Sequence, residues 1–352
     1  MNKRLVSMTV RVLLLSALFF ASATIAGASG AEKPEIDLIK WGRGNSGNIL
    51  VTIAKAQGYF DEVGLKVEEI PMDNDGVFTA MLSGQVDILS NFGTNTPLRL
   101  IAAGDKLTIF GGFMLTGCMP VIAKAGTEWK GVEDLLGKKV AGNAGQYSVT
   151  GPLLDLGHDP VKEIEWVQIS EDSDKLAAIL NGTADYAIMG TDQNYSIQNM
   201  KDRIKVVAYC SDLTPNYSCC RMEARDKFVQ DNPIAIKLLL KCLIRAQGYY
   251  ESHKKESVSL MAKQLGADED YVSAYMLNEH YRINVDPIRK PVLRAWDYMD
   301  RIGILEKKEG VNPEDHINVE LYKAALDEVV AEHRSENPEF YDRMVAFYNE
   351  NN

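Results

Sequence analysis

The stretch "MLSGQVDILSNFGTN", Met81 to Asn95, has a partner later in the chain with nearly the same grammar, "ILNGTADYAIMGTDQ", Ile179 to Gln193. In the first, an apolar helical run stops at Gly84, the residue type that ends helices in the left-handed conformation, and Asp87 then opens a short apolar strand. In the second, Gly182 and Asp185 hold the same places, both displaced by 98 residues. Each strand runs into a polar loop, Thr94-Asn95-Thr96 in one case and Thr191-Asp192-Gln193 in the other. The recurrence predicts two similar α/β lobes, against the alternative that Gly-x-x-Asp after a helix recurs by chance.

Working outward, strands are expected over Ile36–Trp41, Leu65–Ile70, Leu107–Met114, Ile164–Val167 and Ile204–Tyr209, with helices over Asn48–Gln57 and Gly76–Ser83. A new unit begins near "MPVIAKAG", Met119 to Gly126, and continues through "VEDLLGKKVAGNAG" and a helix from about Val149. Strands alternating with helices imply a mostly parallel sheet in each lobe. After Asn232-Pro233, a good helix start, the pattern turns helical: Ile234–Tyr250, Pro291–Arg301, Val319–Ala331 and Pro338–Glu350. No low-complexity linker separates these units, so the lobes are joined by crossing strands.

The chain of 352 residues suffices for two domains of ordinary size. It opens with Lys3, Arg4 and Arg11 ahead of the apolar run Val12–Phe20 and then small residues, the pattern of a secretory signal peptide over residues 1–31, cleaved after Ala28 or Ala31. The run is too short for a membrane span, and no cysteine lies near the cleavage point to carry a lipid. Removing the three basic residues, with no acid before Glu32, takes the net charge from −11 to −14. Such a balance disfavours nucleic acid, whose binding needs clustered Lys and Arg.

Metal and catalytic signatures are missing. The five cysteines, Cys118, Cys210, Cys219, Cys220 and Cys242, include no C-x-x-C and no histidine at zinc spacing. Cys242 reads as core, whereas a Cys118 bridge to Cys219 or Cys220 is open to an exported chain. Neither H-E-x-x-H nor Gly-x-Ser-x-Gly occurs among residues that include only five histidines. "GRGNSG", Gly42 to Gly47, fits the dinucleotide fingerprint, with Glu68 and Glu69 at the right remove, but an exported chain meets little nicotinamide cofactor. What survives is the expectation of free amides at a helix start near Asn45, Ser46 and Gly47, suited to an anionic group.

Four polar loops fall at strand ends: Asn45-Ser46, Thr94-Asn95-Thr96, Gln146-Tyr147-Ser148 and Asp192-Gln193. Ligands of open α/β sheets bind outside the carboxyl ends of the strands, so two facing lobes would bring these loops to one cleft.

Taken in order, "IAKAQGYFDEVGLKVEEI" (Ile53–Ile70), "MLSGQVDI", "VEDLLGKKVAG" (Val132–Gly142) and "LNGTADYAI" (Leu180–Ile188) resemble one family. It is the type II periplasmic solute-binding proteins of ABC transporters, of the sulfonate, taurine, nitrate and thiamine-pyrimidine-precursor class. The resemblance runs from about Ile36 to Leu265 and implies a two-lobed α/β fold with the ligand cleft between lobes and a helical C-terminal region. Lobe 1 would comprise residues 32–117 and 217–352 and lobe 2 residues 118–216, with crossings near Thr116–Val121 and Asn216–Arg221. It further implies an exported monomer that closes by a hinge on a small polar or anionic solute and delivers it to an ABC permease and its ATPase at the inner membrane, without cofactor or catalysis.

In that setting Tyr147 or Tyr217 would cover apolar ligand atoms. Asp192 would meet a ligand amine or else cap the helix from Asn194. The chain departs from many members of that class at Gly190-Thr191-Asp192-Gln193, where those carry an aromatic-acidic stretch. Two other readings stand beside transport: an enzyme on the same fold, prompted by the adjacent Cys219 and Cys220, and a receptor feeding a membrane kinase.

Overall fold

The computed structural model describes residues 32–73 and 76–352, so the signal-peptide expectation and its cleavage points lie outside the described residues. Two five-stranded sheets carry the architecture. The first contains β1 (Leu38–Arg43), β2 (Lys66–Pro71), β3 (Ile88–Leu89) and β4 (Leu107–Gly112), and a two-stranded ladder begins at β5 (Met114–Gly117). The second sheet contains β6 (Pro120–Lys124), β7 (Lys139–Ala141), β8 (Glu165–Val167), β9 (Tyr186–Ile188) and β10 (Ile204–Tyr209). The chain then returns to the first sheet with β11 (Arg221–Arg225), and β12 (Tyr281–Ile283) pairs with β5.

The strand orders, β2-β1-β3-β11-β4 and β8-β7-β9-β6-β10, are the same plan twice. In each, two parallel pairings lie beside two antiparallel ones; in the first sheet the antiparallel strand, β11, returns from beyond the second sheet, whereas in the second it is β6, the first of five consecutive strands. The sheets are therefore mixed rather than parallel throughout. The sequence repeat is visible in the backbone: Gly84 and Gly182 both end their helices, Val77–Ser83 and Asp172–Asn181, at φ 84° and ψ 16°.

Alternation sets the strands. In β1, Ile39 and Trp41 are buried while Leu38 and Lys40 are exposed. The helix Ile49–Ala56 buries its first six residues and is capped by Asn48, whose side-chain oxygen accepts from Leu50 N and Val51 N at 3.0 and 3.4 Å. Pro233 starts the helix Pro233–Ser252 as expected, and Glu35, 199 positions earlier, takes the amides of Ile234 and Ala235.

The expected strand Leu107–Met114 breaks at Phe113, because Met114 onward leaves the first sheet to pair with β12. The C-terminal helices are not confined to the first sheet. Arg289–Arg301 packs on Tyr147–Asp155, where the Tyr298 hydroxyl donates to Asp155 at 2.5 Å, and Glu269–Met276 packs on Asn194–Gln198. Among the described residues no helix is long and apolar enough to cross a membrane.

Candidate functional site

A cleft of about 780 Å³ opens where the loops at the carboxyl ends of both sheets meet. Eleven of the twelve residues singled out from the sequence line it: Asn45, Ser46, Thr94, Asn95, Thr96, Gln146, Tyr147, Ser148, Asp192, Gln193 and Tyr217. The twelfth, Gly47, does not. Its φ is 68°, and a Cβ there would fall 1.9 Å from Met261 Cε, so it faces the helix Lys254–Leu265.

The expected anion cradle at this loop is partly occupied by the protein itself. Asn91 Oδ1 accepts Gly44 N at 3.0 Å, Gly47 N donates to Gly44 O, and Asn48 takes the first helical amides. These amides are spent inside the protein and are closed to an anion.

Several polar side chains on the cleft wall tie the two halves together. Asn95 Nδ2 donates to Gly145 O at 2.7 Å. Thr94 Oγ1 and the Tyr147 hydroxyl both donate to Ser218 O, at 2.6 and 2.8 Å. The Tyr217 hydroxyl accepts from Gly117 N at 2.9 Å, and burial raises the hydroxyl pKa of Tyr147 and Tyr217 above the ordinary range, so both act as neutral groups.

Three non-glycine residues on the two crossings hold positive φ: Cys118 at 40°, Asn216 at 49° and Ser218 at 63°. Strain of this kind persists only where the surroundings hold it.

Asp192 does not cap the helix Asn194–Gln198, whose N-terminus has no side-chain cap. Its carboxylate accepts from Gln193 Nε2 at 3.0 Å and shares the space beside Gly190 with Asp172: a Cβ on Gly190 would meet Asp172 Oδ2 at 2.6 Å and Asp192 Oδ1 at 2.7 Å. Burial, then the charge of Asp172, raises the Asp192 pKa above the usual carboxylate range. Asp172 in turn takes Gly190 N at 2.9 Å and Lys175 Nζ at 2.8 Å.

The sequence reading missed Asp172, together with Asp73 and Glu171 on the same lining. The "SEDSD" run, Ser170 to Asp174, follows β8 as the other loops follow their strands, and that position was the available signal. Among the described lining residues the acids are Asp73, Glu171, Asp172 and Asp192, and Lys175 is the one base. Met72, Phe78, Phe92, Met114 and Met119 supply apolar surface, with Phe78 and Phe92 edge to face at 6.5 Å.

All five cysteines are free and buried, so the considered Cys118 bridge is not formed. Cys118 Sγ instead sits 3.3 Å from Asn194 Nδ2. No group of three or more His, Cys, Asp or Glu among the described residues is placed to hold a metal ion.

This arrangement of twin sheets and one inter-sheet cleft agrees with the sequence, whose residues 45–257, more than half the chain, match the family described as NMT1/THI5 like. The chain belongs to the NMT1/THI5-like family. No curated protein sequence matches it.

Solved structures share the fold of this NMT1/THI5-like chain. The periplasmic aliphatic sulphonate binding protein SsuA from Escherichia coli is 20% identical, with a TM-score of 0.67 over 80% of this chain and 92% of that one. The periplasmic nitrate-binding protein NrtA from Synechocystis PCC 6803 is 15% identical, with a TM-score of 0.67 over 84% and 90%. The desulfurization enzyme DSZB is 16% identical, with a TM-score of 0.60 over 83% and 99%. At these identities the likeness concerns the fold, which is that of periplasmic binding proteins.

Proposed function

We propose that this chain is an extracytoplasmic solute-binding protein that captures a small amine-bearing solute and presents it to an ABC permease and its ATPase. The observation that carries the reading is the pairing of Asp172 and Asp192 beside Gly190, in a cleft where the one basic side chain among the described lining residues, Lys175, is already bound to Asp172. A solute ammonium placed there meets a carboxylate whose ionised form is otherwise penalised by burial and by a like charge, so binding relieves the penalty. A purely anionic solute would meet four acids and no free base.

The sulfonate-like expectation therefore narrows to solutes that carry an amine, of the taurine type or an amino-substituted pyrimidine. The apolar side chains Met72, Phe78 and Phe92 would receive the remainder of such a molecule.

Closure supplies the mechanism. The polar loops of both sheets face one cleft, and the crossings between them contain the strained residues Cys118, Asn216 and Ser218. Contacts made by both sets of loops exist together only in the closed arrangement, so a solute shifts the population toward it.

A titration of the protein with taurine and with methanesulfonate, which lacks the amine, tests the reading. Binding of taurine or an aminopyrimidine, lost in Asp192→Asn, supports it; equal binding of methanesulfonate by both forms contradicts it.

A catalytic reading is favoured by one observation, the Cys219 thiol in the cleft, held below its ordinary pKa first by the hydrogen bond from Cys220. No histidine is among the described lining residues to serve as its base. Turnover of a bound solute without added partner protein would establish it.

A further inference from the structure

Cys219 and Cys220 are consecutive residues on the segment that leads into β11, and both side chains line the cleft. Their sulfurs are 3.6 Å apart, and Cys219 Sγ lies 4.0 Å from Met119 Sδ. The peptide that carries them is gripped from both sides. Thr94 Oγ1 donates to Ser218 O and, at 3.2 Å, to Cys219 O, while the Tyr147 hydroxyl holds Ser218 O from the other half of the cleft. The amides of Cys219 and Cys220 donate to Leu115 O and Met114 O at 3.2 and 3.0 Å. Asn216 and Ser218, just before them, hold positive φ without being glycine.

The remaining thiols differ in kind. Cys210 and Cys242 are enclosed, and burial pushes each up to about 12; Cys118 is raised by burial as well. Cys219 is the exception, shifted toward the thiolate, which is the form that attacks a disulfide.

We propose that Cys219 and Cys220 form a reversible vicinal dithiol in the cleft floor, which exchanges with a small soluble disulfide to give a Cys219–Cys220 bridge. The Cys219 thiolate attacks one sulfur of the disulfide and expels the other half as a thiolate, leaving a mixed disulfide. Cys220, losing its proton, attacks Cys219 Sγ and expels the second half. The protein gives up two electrons and two protons, which leave on the two small thiols.

The bridge must draw the sulfurs from 3.6 Å to about 2.05 Å. Neighbouring Cα atoms stand about 3.8 Å apart, shorter than the usual disulfide range of roughly 4.4–6.8 Å, so the ring is strained and readily reduced. Closing it turns the peptide held by Thr94 and Tyr147, and redox state thereby reaches the contact between the two halves of the cleft. The inference does not depend on which solute the cleft takes.

The test is to incubate the folded full chain with oxidised glutathione, quench with acid, unfold, alkylate and map the peptides by mass. The expected result is loss of two hydrogens from the peptide holding both cysteines, restored by a reductant. Cys220→Ser, without the resolving thiol, should stop at one glutathione on Cys219, and Cys242→Ser should behave as the unaltered chain. Recovery of both residues fully alkylated after the folded chain has met oxidised glutathione, with oxidation only when the chain is unfolded first, would overturn the proposal. So would a bridge from either residue to Cys118. The unaltered chain decides the matter even where a variant fails to fold.

Discussion

Asp185 accepts the amide of Lys139 at 3.0 Å and returns its own amide to the Lys139 carbonyl at 2.8 Å. Asp87 does the same for Lys40, at 2.9 and 2.8 Å. Each aspartate fixes the start of its strand, β3 or β9, against its parallel neighbour, β1 or β7. Asp87 is half-buried and also meets Arg225 at 3.4 Å, whereas Asp185 is exposed. Asp87→Ala should therefore cost about 1–3 kcal/mol and Asp185→Ala about 0.5–1.5 kcal/mol. Urea unfolding of the two variants checks the order, and a reversed order would show that the repeats bear load differently.

Gly182 ends its helix at φ 84°, a region that costs a residue with a Cβ roughly 1–2 kcal/mol. Gly182→Ala should lose about 1 kcal/mol and Gly182→Asn less, because asparagine tolerates this conformation. Thermal unfolding of both variants reads the difference; equal losses would point to the nearby Lys124 side chain, 3.2 Å from the added Cβ, as the cause.

These helix ends were legible because a glycine cap is a local device, decided by a few adjacent residues. The polar loops were legible for a related reason, since each follows a strand that its own alternation reveals. What stayed hidden depends on distant chain. The antiparallel place of β11 arises because that strand returns to a sheet built some hundred residues earlier, that of β6 because it pairs with β9 and β10 from the far end of its own unit, and the three-residue β12 carries too little pattern to be seen. Of the amides expected free at this loop, that of Gly44 is taken by Asn91, 47 positions away. The charge of the cleft was hidden likewise: Asp172 opens a helix far from Asp192 in sequence, and only the fold brings it to Gly190 and Asp192.

Glu223 lies fully buried in β11, and neither carboxylate oxygen has a hydrogen-bond partner. Burial raises its pKa well above the ordinary value, with Arg221 opposing. The unfolded chain thus gives up this proton at a lower pH than the folded chain does. Stability should fall as pH rises from the ordinary glutamate range toward the raised value. Glu223→Gln should flatten that fall and be at least as stable at pH 7, as measured by urea midpoints from pH 4.5 to 8. An unchanged slope would mean that Glu223 is ionised and paired in solution.

Asp192 shares that sign, with a consequence for binding. Its raised pKa means that it loses its charge at a higher pH than an ordinary aspartate, and an ammonium prefers the charged form. Affinity for an amine should weaken as pH falls through the raised pKa, with a smaller slope in Asp192→Asn. Calorimetric titration with one amine-bearing solute across this range reads the effect, and a slope shared by both proteins would assign it to another group.

The most direct test is a thermal-shift screen of the protein against taurine, aminopyrimidines, amino acids, methanesulfonate, nitrate and bicarbonate, run in parallel on Asp192→Asn. A solute at one hundred times its dissociation constant adds about 2.7 kcal/mol, a shift of several degrees. The account predicts a shift from an amine-bearing solute, reduced by about 1–3 kcal/mol of binding in the variant. A shift from nitrate or methanesulfonate alone, equal in both proteins, would contradict it.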